Sequence, residues 1–445
     1  MKHLLPMQHR HDRAIMALAL PALGSLAIDP LVSLVDTAFV GRLGTAELGA
    51  LGVNSAIFAL AFLIFNFLAY GTTPKIGRAL GRDDRESAGR TVIQALSLAV
   101  VIGVCVTAAL LLLSEPILGV MGATGELAQP AATYLHIRAF AGPAVLLIIA
   151  GNGAFRGYQD TRTPFVIAAI FNLVNLILDP ILIFGVGWGI AGAAAATVIA
   201  QWLGAALFLW LLLVRHRKEF GIPLVVPRPS QMIPLLQIGG HLLLRTGTLV
   251  ATMTLATAVA ARIGVVEVAA HQVAYQSWGF LALVVDSLAV AGQALLSRFI
   301  GKRSPEGARQ VGNRLLQWGL TIGVILGLLF WIARPYLPAL FTTDPETIAY
   351  VLAIFAFVAI LQPINGLVFV WDGLYMGAEA FRYLAITMVL SAVVGAGLLI
   401  ATLVYEWGLT GVWWSITAMM LSRLVTLALP WYLGRVPGLD SRNER

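Results

Sequence analysis

Apolar positions in this chain come in long unbroken runs rather than in the narrow stripes of soluble helices and strands. Residues 95–113 and 320–333, with their apolar flanks, are long enough to cross a hydrocarbon core. The in–out alternation of a barrel strand is absent, so the runs read as membrane helices. Gly and Pro punctuate the joins. Twelve spans follow, near residues 14–40, 47–73, 90–114, 130–155, 163–185, 190–214, 232–261, 267–294, 310–333, 347–373, 382–405 and 410–433.

The pattern is also written twice. Arg42, Gly44, Glu47, Ala50 and Val53 recur 220 positions later as Arg262, Gly264, Glu267, Ala270 and Val273. The same shift carries Arg78, Gly81, Glu86 and Ala88 onto Arg298, Gly301, Glu306 and Ala308. It also carries Pro143, Gly153, Gly157 and Arg162 onto Pro363, Gly373, Gly377 and Arg382. Six helices per copy is an even number, so both copies insert with one orientation, related by an axis along the membrane normal. The expected fold is an all-α integral membrane protein of two parallel six-helix repeats. Residues 1–214 form one lobe, 215–231 a linker and 232–445 the other lobe. The matching loops 75–90 and 298–314 are long enough for short surface helices.

Composition agrees. The chain is 59% hydrophobic and 11% charged, with mean hydropathy +0.86, against about 25% charged residues in a soluble domain. The single cysteine, Cys105, excludes an intrachain disulfide or a cysteine metal site. The first apolar run is followed by Asp36 and Gly41–Gly44 rather than by a small-residue cleavage site, so it reads as a span and not as a removed signal peptide. The net charge of +7 marks inner loops and does not call for nucleic acid. Arg42, Arg262 and Arg334 fall outside, and Arg138, Arg245 and Arg423 fall within spans. The other 23 of the 29 basic residues lie on the inner side, which places both termini in the cytoplasm.

Ionisable groups inside a membrane are costly and each needs a reason. Asp29 and Asp36 are seven apart on the first span and share a face. Asn172, Asn175 and Asp179 repeat at three and four on the fifth. Pro21 and Pro30 in the first span, and Pro180 after Asp179, mark places where a helix can bend and free carbonyls. At 1.5 Å per residue Asp36 and Asp179 lie roughly 20–35 Å from the inner helix ends, within reach of one polar pocket. The 220-residue shift maps Asp29, Asp36 and Asp179 onto Leu249, Ala256 and Leu399. Acids that only held the scaffold would recur in its second copy, so their one-sidedness favours a task. Two neighbouring buried carboxyls resist carrying charge together, which suits them to carry a proton. In the second lobe His241, Arg245, His271, Asp286, Asp372 and Arg423 read as structural pairs, with Arg245 and Asp286 expected to pair. His271 has no partners at metal-ligand spacing.

Enzymatic chemistry finds no support. Gly301-Lys302 lacks the first glycine of a phosphate loop, since position 296 is Leu, and no metal or nucleophile motif is present. No cofactor is expected, and transport would draw on an ion gradient.

The 35–44 stretch (VDTAFVGRLG) resembles a signature of the multidrug and toxic compound extrusion (MATE) family, and 153–164 (GAFRGYQDTRTP) looks like its second hallmark. Residues 175–180 (NLILDP) and 371–378 (WDGLYMGA) resemble its DNA-damage-inducible-protein-F-like branch. The resemblance covers essentially the whole chain. It implies two lobes in a V, alternating access, and export of amphipathic, often cationic organic molecules against entering protons or sodium. It also implies an N-lobe pocket of Asp36, Asn152, Asn175, Asp179 and Thr197, with Asp29 less secure and Asp286 and Asp372 open as second-lobe functional acids. The expectation is a monomeric, proton-coupled antiporter in a prokaryotic inner membrane, with Asp36 as carrier and Asp179 as its partner. Sodium held by Asp36, Asn175, Asp179 and Thr197, or a flippase for lipid-linked precursors, are the alternatives.

Overall fold

The computed structural model describes residues 10–341 and 343–439. Lys2, Arg442 and Arg445, counted above on the inner side, lie outside the described residues. The elements are helices: α1 Asp12–Gly41, α2 Thr45–Gly81, α3 Arg85–Leu112, α4 Ser114–Val120, α5 Gly125–Ala139, α6 Gly142–Gly157, α7 Arg162–Gly185, α8 Ile190–Arg215, α9 Pro229–Ile263, α10 Val265–Gly301, α11 Pro305–Ala333, α12 Pro345–Gly377, α13 Phe381–Val404 and α14 Gly408–Leu433. Eleven are long and apolar enough to cross a membrane singly, and α5 with α6 supplies a twelfth crossing bent by 51°.

Contacts divide the chain into two compact units. The first is Gly24–Gly239; the second is Met1–Leu23 together with Gly240–Arg445. The boundaries therefore fall inside α1 and α9, and not at the ends of the expected linker 215–231. Two local structures explain this. The start of α1 is held in the second unit by Asp12, which is buried and accepts a fork from Arg314 (Nε 2.7 Å, Nη2 2.9 Å) and a bond from Trp318 Nε1 at 2.9 Å. The early linker is docked in the first unit: Phe220 stacks on Tyr158 at 3.7 Å, and Tyr158 Oη donates to the Phe220 carbonyl at 2.7 Å.

The repeat is visible as backbone approach. A Cβ on Gly153 would lie 2.6 Å from Ala69, and one on Gly373 would lie 2.3 Å from the Ala289 carbonyl, 220 residues on. Gly103 lies against Pro143 as Gly323 lies against Gln362–Pro363. Small residues let membrane helices come this close, where dispersion and interhelical bonds replace the hydrophobic drive. Thr73 Oγ1 adds such a bond, donating to the Gly153 carbonyl at 2.9 Å.

The joins repeat too. α2 and α10 run on to Gly81 and Gly301, and α3 and α11 restart at Arg85 and Pro305. Three-residue turns, not surface helices, therefore occupy the loops 75–90 and 298–314, because the helices carry their polar ends beyond the apolar run. Asp83 and Arg303 make those turns at φ 59° and 52°. Asp84 and Ser304 then cap the next helices, accepting from Ser87 N at 2.9 Å and Gly307 N at 3.3 Å. Asp344 caps α12 in the same way, and bonds from Thr347 hold its carboxyl below the usual carboxylate range.

One joint does not repeat. The fourth crossing of the first unit breaks between α5 and α6, while its counterpart α12 is one continuous helix. Thr107 Oγ1 donates to the Ala139 carbonyl at 2.7 Å and Trp202 Nε1 to the Phe140 carbonyl at 3.1 Å, so the freed carbonyls are satisfied. The repeat positions of Thr107 and Trp202 are Gly327 and Ser422. Gly327 instead lets the Ala359 carbonyl approach to 2.7 Å of where its Cβ would be.

Candidate functional site

A cavity of about 550 Å³ lies inside the first unit. α1 contributes Ser25, Asp29, Ser33 and Asp36 to its wall, all on one face at three- and four-residue steps. α6 contributes Asn152, α7 Asn172 and Asn175, α8 Thr197 and Gln201, and α5 Arg138. The close approach that brings α1 to α7 is made at Gly24, where a Cβ would lie 2.5 Å from the Phe165 ring. Asn172 Nδ2 then donates to Asp29 Oδ1 at 2.8 Å.

Asp179 sits behind this wall, buried to 1% exposure. Asn175 Nδ2 donates to its Oδ1 at 3.4 Å, and its carboxyl group is within hydrogen-bonding reach of that of Asp36. Asp36 Oδ1 and Asp179 Oδ2 are buried without a hydrogen-bond partner. Pro180 has no N–H to continue the helical ladder. The backbone widens immediately after it into a π turn over Ile181–Gly185, with Val186 N donating to the Ile181 carbonyl at 2.8 Å. Such turns frequently occur at functional sites. The helix of α1, by contrast, is continuous through Pro21 and Pro30.

The structure thus brings Asp29, Asp36, Asn152, Asn175, Asp179 and Thr197 to one place. It adds two wall residues that the sequence reading did not select, Arg138 and Gln201. Arg138 Nη1 donates to Gln201 Oε1 at 2.7 Å, the guanidinium carbon stands 5.1 Å over the Phe58 ring, and Tyr134 lies one turn earlier on the same helix. The available signal was asymmetry: Arg138 is a basic residue within a span, and its repeat position is Val358.

The second unit's polar residues form a different arrangement. Arg245 Nη2 donates to Asp372 Oδ2 at 2.6 Å, and Arg423 donates to the same oxygen. Asp286 is near enough for its charge to act on Arg423. Asp372 therefore joins two arginines, whereas the pair expected from the sequence was Arg245 with Asp286. His271 is fully buried, hydrogen-bonds Thr257 Oγ1 at 3.2 Å and stacks on Tyr275. Among the described residues no cluster of three His, Cys, Asp or Glu side chains is placed to hold a metal ion.

The MatE family model matches residues 21–181 and 247–400, one stretch in each repeat. The chain belongs to the MatE family. Its members are secondary transporters of the multidrug and toxic-compound efflux class, not enzymes. Among MatE relatives, Protein DETOXIFICATION 44, chloroplastic, from Arabidopsis thaliana is 37% identical over 95% of this chain and 82% of its own. DNA damage-inducible protein F from Escherichia coli is 27% identical over 94% and 92%. A crystal structure of a MATE protein in the bent conformation superposes with TM-score 0.87 over 95% of this chain and 94% of that one, at 21% identity. That likeness is one of fold.

Proposed function

We propose that the chain is a proton-coupled antiporter that exports amphipathic, often cationic organic compounds by alternating access. Asp36 is the proton carrier and Asp179 its partner. The observation that carries this reading is the contact between their carboxyl groups. Two carboxyls can hydrogen-bond each other only with a proton between them, and without it they repel. A cation arriving in the cavity competes with that proton for Asp36. Proton and substrate then occupy the site in turn, which is the condition for exchange. Protonation changes the hydrogen bonding of α1 and so biases the protein between states that bind substrate differently.

Sodium is the second reading. The unpartnered oxygens on Asp36 and Asp179, with Asn175 and Thr197 alongside, also supply a hard cation with oxygen ligands. The proposed location is a prokaryotic cell membrane with the basic loops inside and the chain acting as a monomer.

Efflux of a cationic dye from proteoliposomes, under a pH gradient or a sodium gradient imposed separately, tests these readings. Proton coupling predicts efflux with the pH gradient alone, and its loss in Asp36→Asn. Efflux with sodium alone replaces the coupling ion. Absence of gradient-driven flux for any cationic dye favours a lipid-precursor flippase.

A further inference from the structure

A guanidinium within a membrane helix is costly, and such a group normally spends its charge on a partner carboxylate. The second unit follows that rule, since Arg245 and Arg423 both donate to Asp372. Arg138 does not. Its hydrogen-bond partner is the neutral amide of Gln201, while Asp36 acts on it through charge and keeps a buried oxygen without any hydrogen-bond partner. A guanidinium has five N–H donors, so donors are left over at the cavity wall, which Arg138 helps to line. Nor does the helical scaffold require the residue, because the repeat places Val358 at the same position of α12.

The position of Arg138 also aims it. It lies in the last turn of α5, next to the break before α6, where the carbonyl ends of a helix favour a cation. The ring of Phe58 and the amide of Gln201 fix its plane. A guanidinium held in one orientation with open donors matches the two oxygens of a carboxylate.

Resting on the export reading above, we propose that Arg138 is a substrate-binding residue whose open N–H groups hold an oxyanion, such as a carboxylate, on the exported molecule. The cavity's acids, Asp36 and Asp29, hold the same molecule's cationic group. The preferred substrates are therefore amphoteric compounds with an apolar body, rather than simple organic cations.

The test uses a matched pair of probes: a rhodamine with a free carboxylate and its methyl ester, which share one cationic ring system. Proteoliposomes loaded with each report gradient-driven efflux, and the free-acid to ester ratio is compared between wild type and variants. Because the ratio is taken within one preparation, it is insensitive to how much of a variant folds. Loss of a charge-assisted bond predicts that Arg138→Gln lowers the ratio about tenfold or more. Arg138→Lys, which keeps the charge and loses the planar fork, should fall between the two. Ester efflux with an unchanged ratio in Arg138→Gln overturns this inference alone. A wild type that moves neither dye overturns the export reading and this inference with it.

Discussion

In the first unit Gly153 meets Ala69, and in the second Gly373 meets Ala289. Yet Asp36, Arg138 and Thr107 of the first unit have Ala256, Val358 and Gly327 as their counterparts. The features that repeat are those that let backbones approach, turn and start again: small residues at crossings, left-handed residues after helix ends and side-chain caps. The features that do not repeat are the acids at the cavity, Arg138 and the break beside it, whereas Thr197 on the same wall does recur, as Thr417. A duplicated scaffold has thus kept its packing twice and placed its candidate chemistry once. The second unit's charges show the contrast, because they are spent on one another around Asp372.

The sharpest way to break this comparison is to neutralise one acid in each unit. Asp36→Asn should reduce gradient-driven efflux to the background of empty liposomes while leaving size-exclusion profile and thermal unfolding close to wild type. Asp372→Asn should do the reverse. It leaves Arg245 and Arg423 without their carboxylate, a loss of about 3–5 kcal/mol for a broken buried pair, read as a lowered unfolding temperature with coupling to the pH gradient retained. Normal export by Asp36→Asn, or loss of coupling without loss of stability in Asp372→Asn, would reverse the assignment of the units.

Smaller changes probe the shared scaffold. Gly153→Ala and Gly373→Ala each insert a methyl against backbone, and each should cost about 1–3 kcal/mol by thermal melting in detergent. A large effect in one unit only would show that the repeat is not equivalent where it looks most so. Smallest is the pair of caps: Ser304→Ala should cost about 1 kcal/mol in the same assay. Asp84→Ala should match it, since both cap a helix after a left-handed turn residue.

Much of this was legible in the sequence, and the reasons are physical. Apolar run length fixes a span because the bilayer sets the length. The repeat could be read from Gly, Pro and Arg at helix ends because those residues answer to backbone geometry. Asp36 and Asp179 stood out because acids are rare at that depth. The break before α6 was not legible: Pro143 invites one, but Pro363 sits at the same position of an unbroken helix. The difference lies in Thr107 and Trp202, which come from other helices to satisfy the freed carbonyls. Asp12 was equally hidden, since its partners Arg314 and Trp318 lie some three hundred residues away. Arg138 was legible by the same asymmetry as the acids, since the repeat places Val358 at its position.

The most direct test of the central claim is proton release on substrate binding, followed in weakly buffered detergent solution with a pH indicator. If Asp36 and Asp179 hold a proton that a cationic substrate displaces, wild type and Asp372→Asn should release protons on adding substrate, and Asp36→Asn should release none. Equal release from Asp36→Asn and wild type would contradict the account and move the exchanging proton to another site.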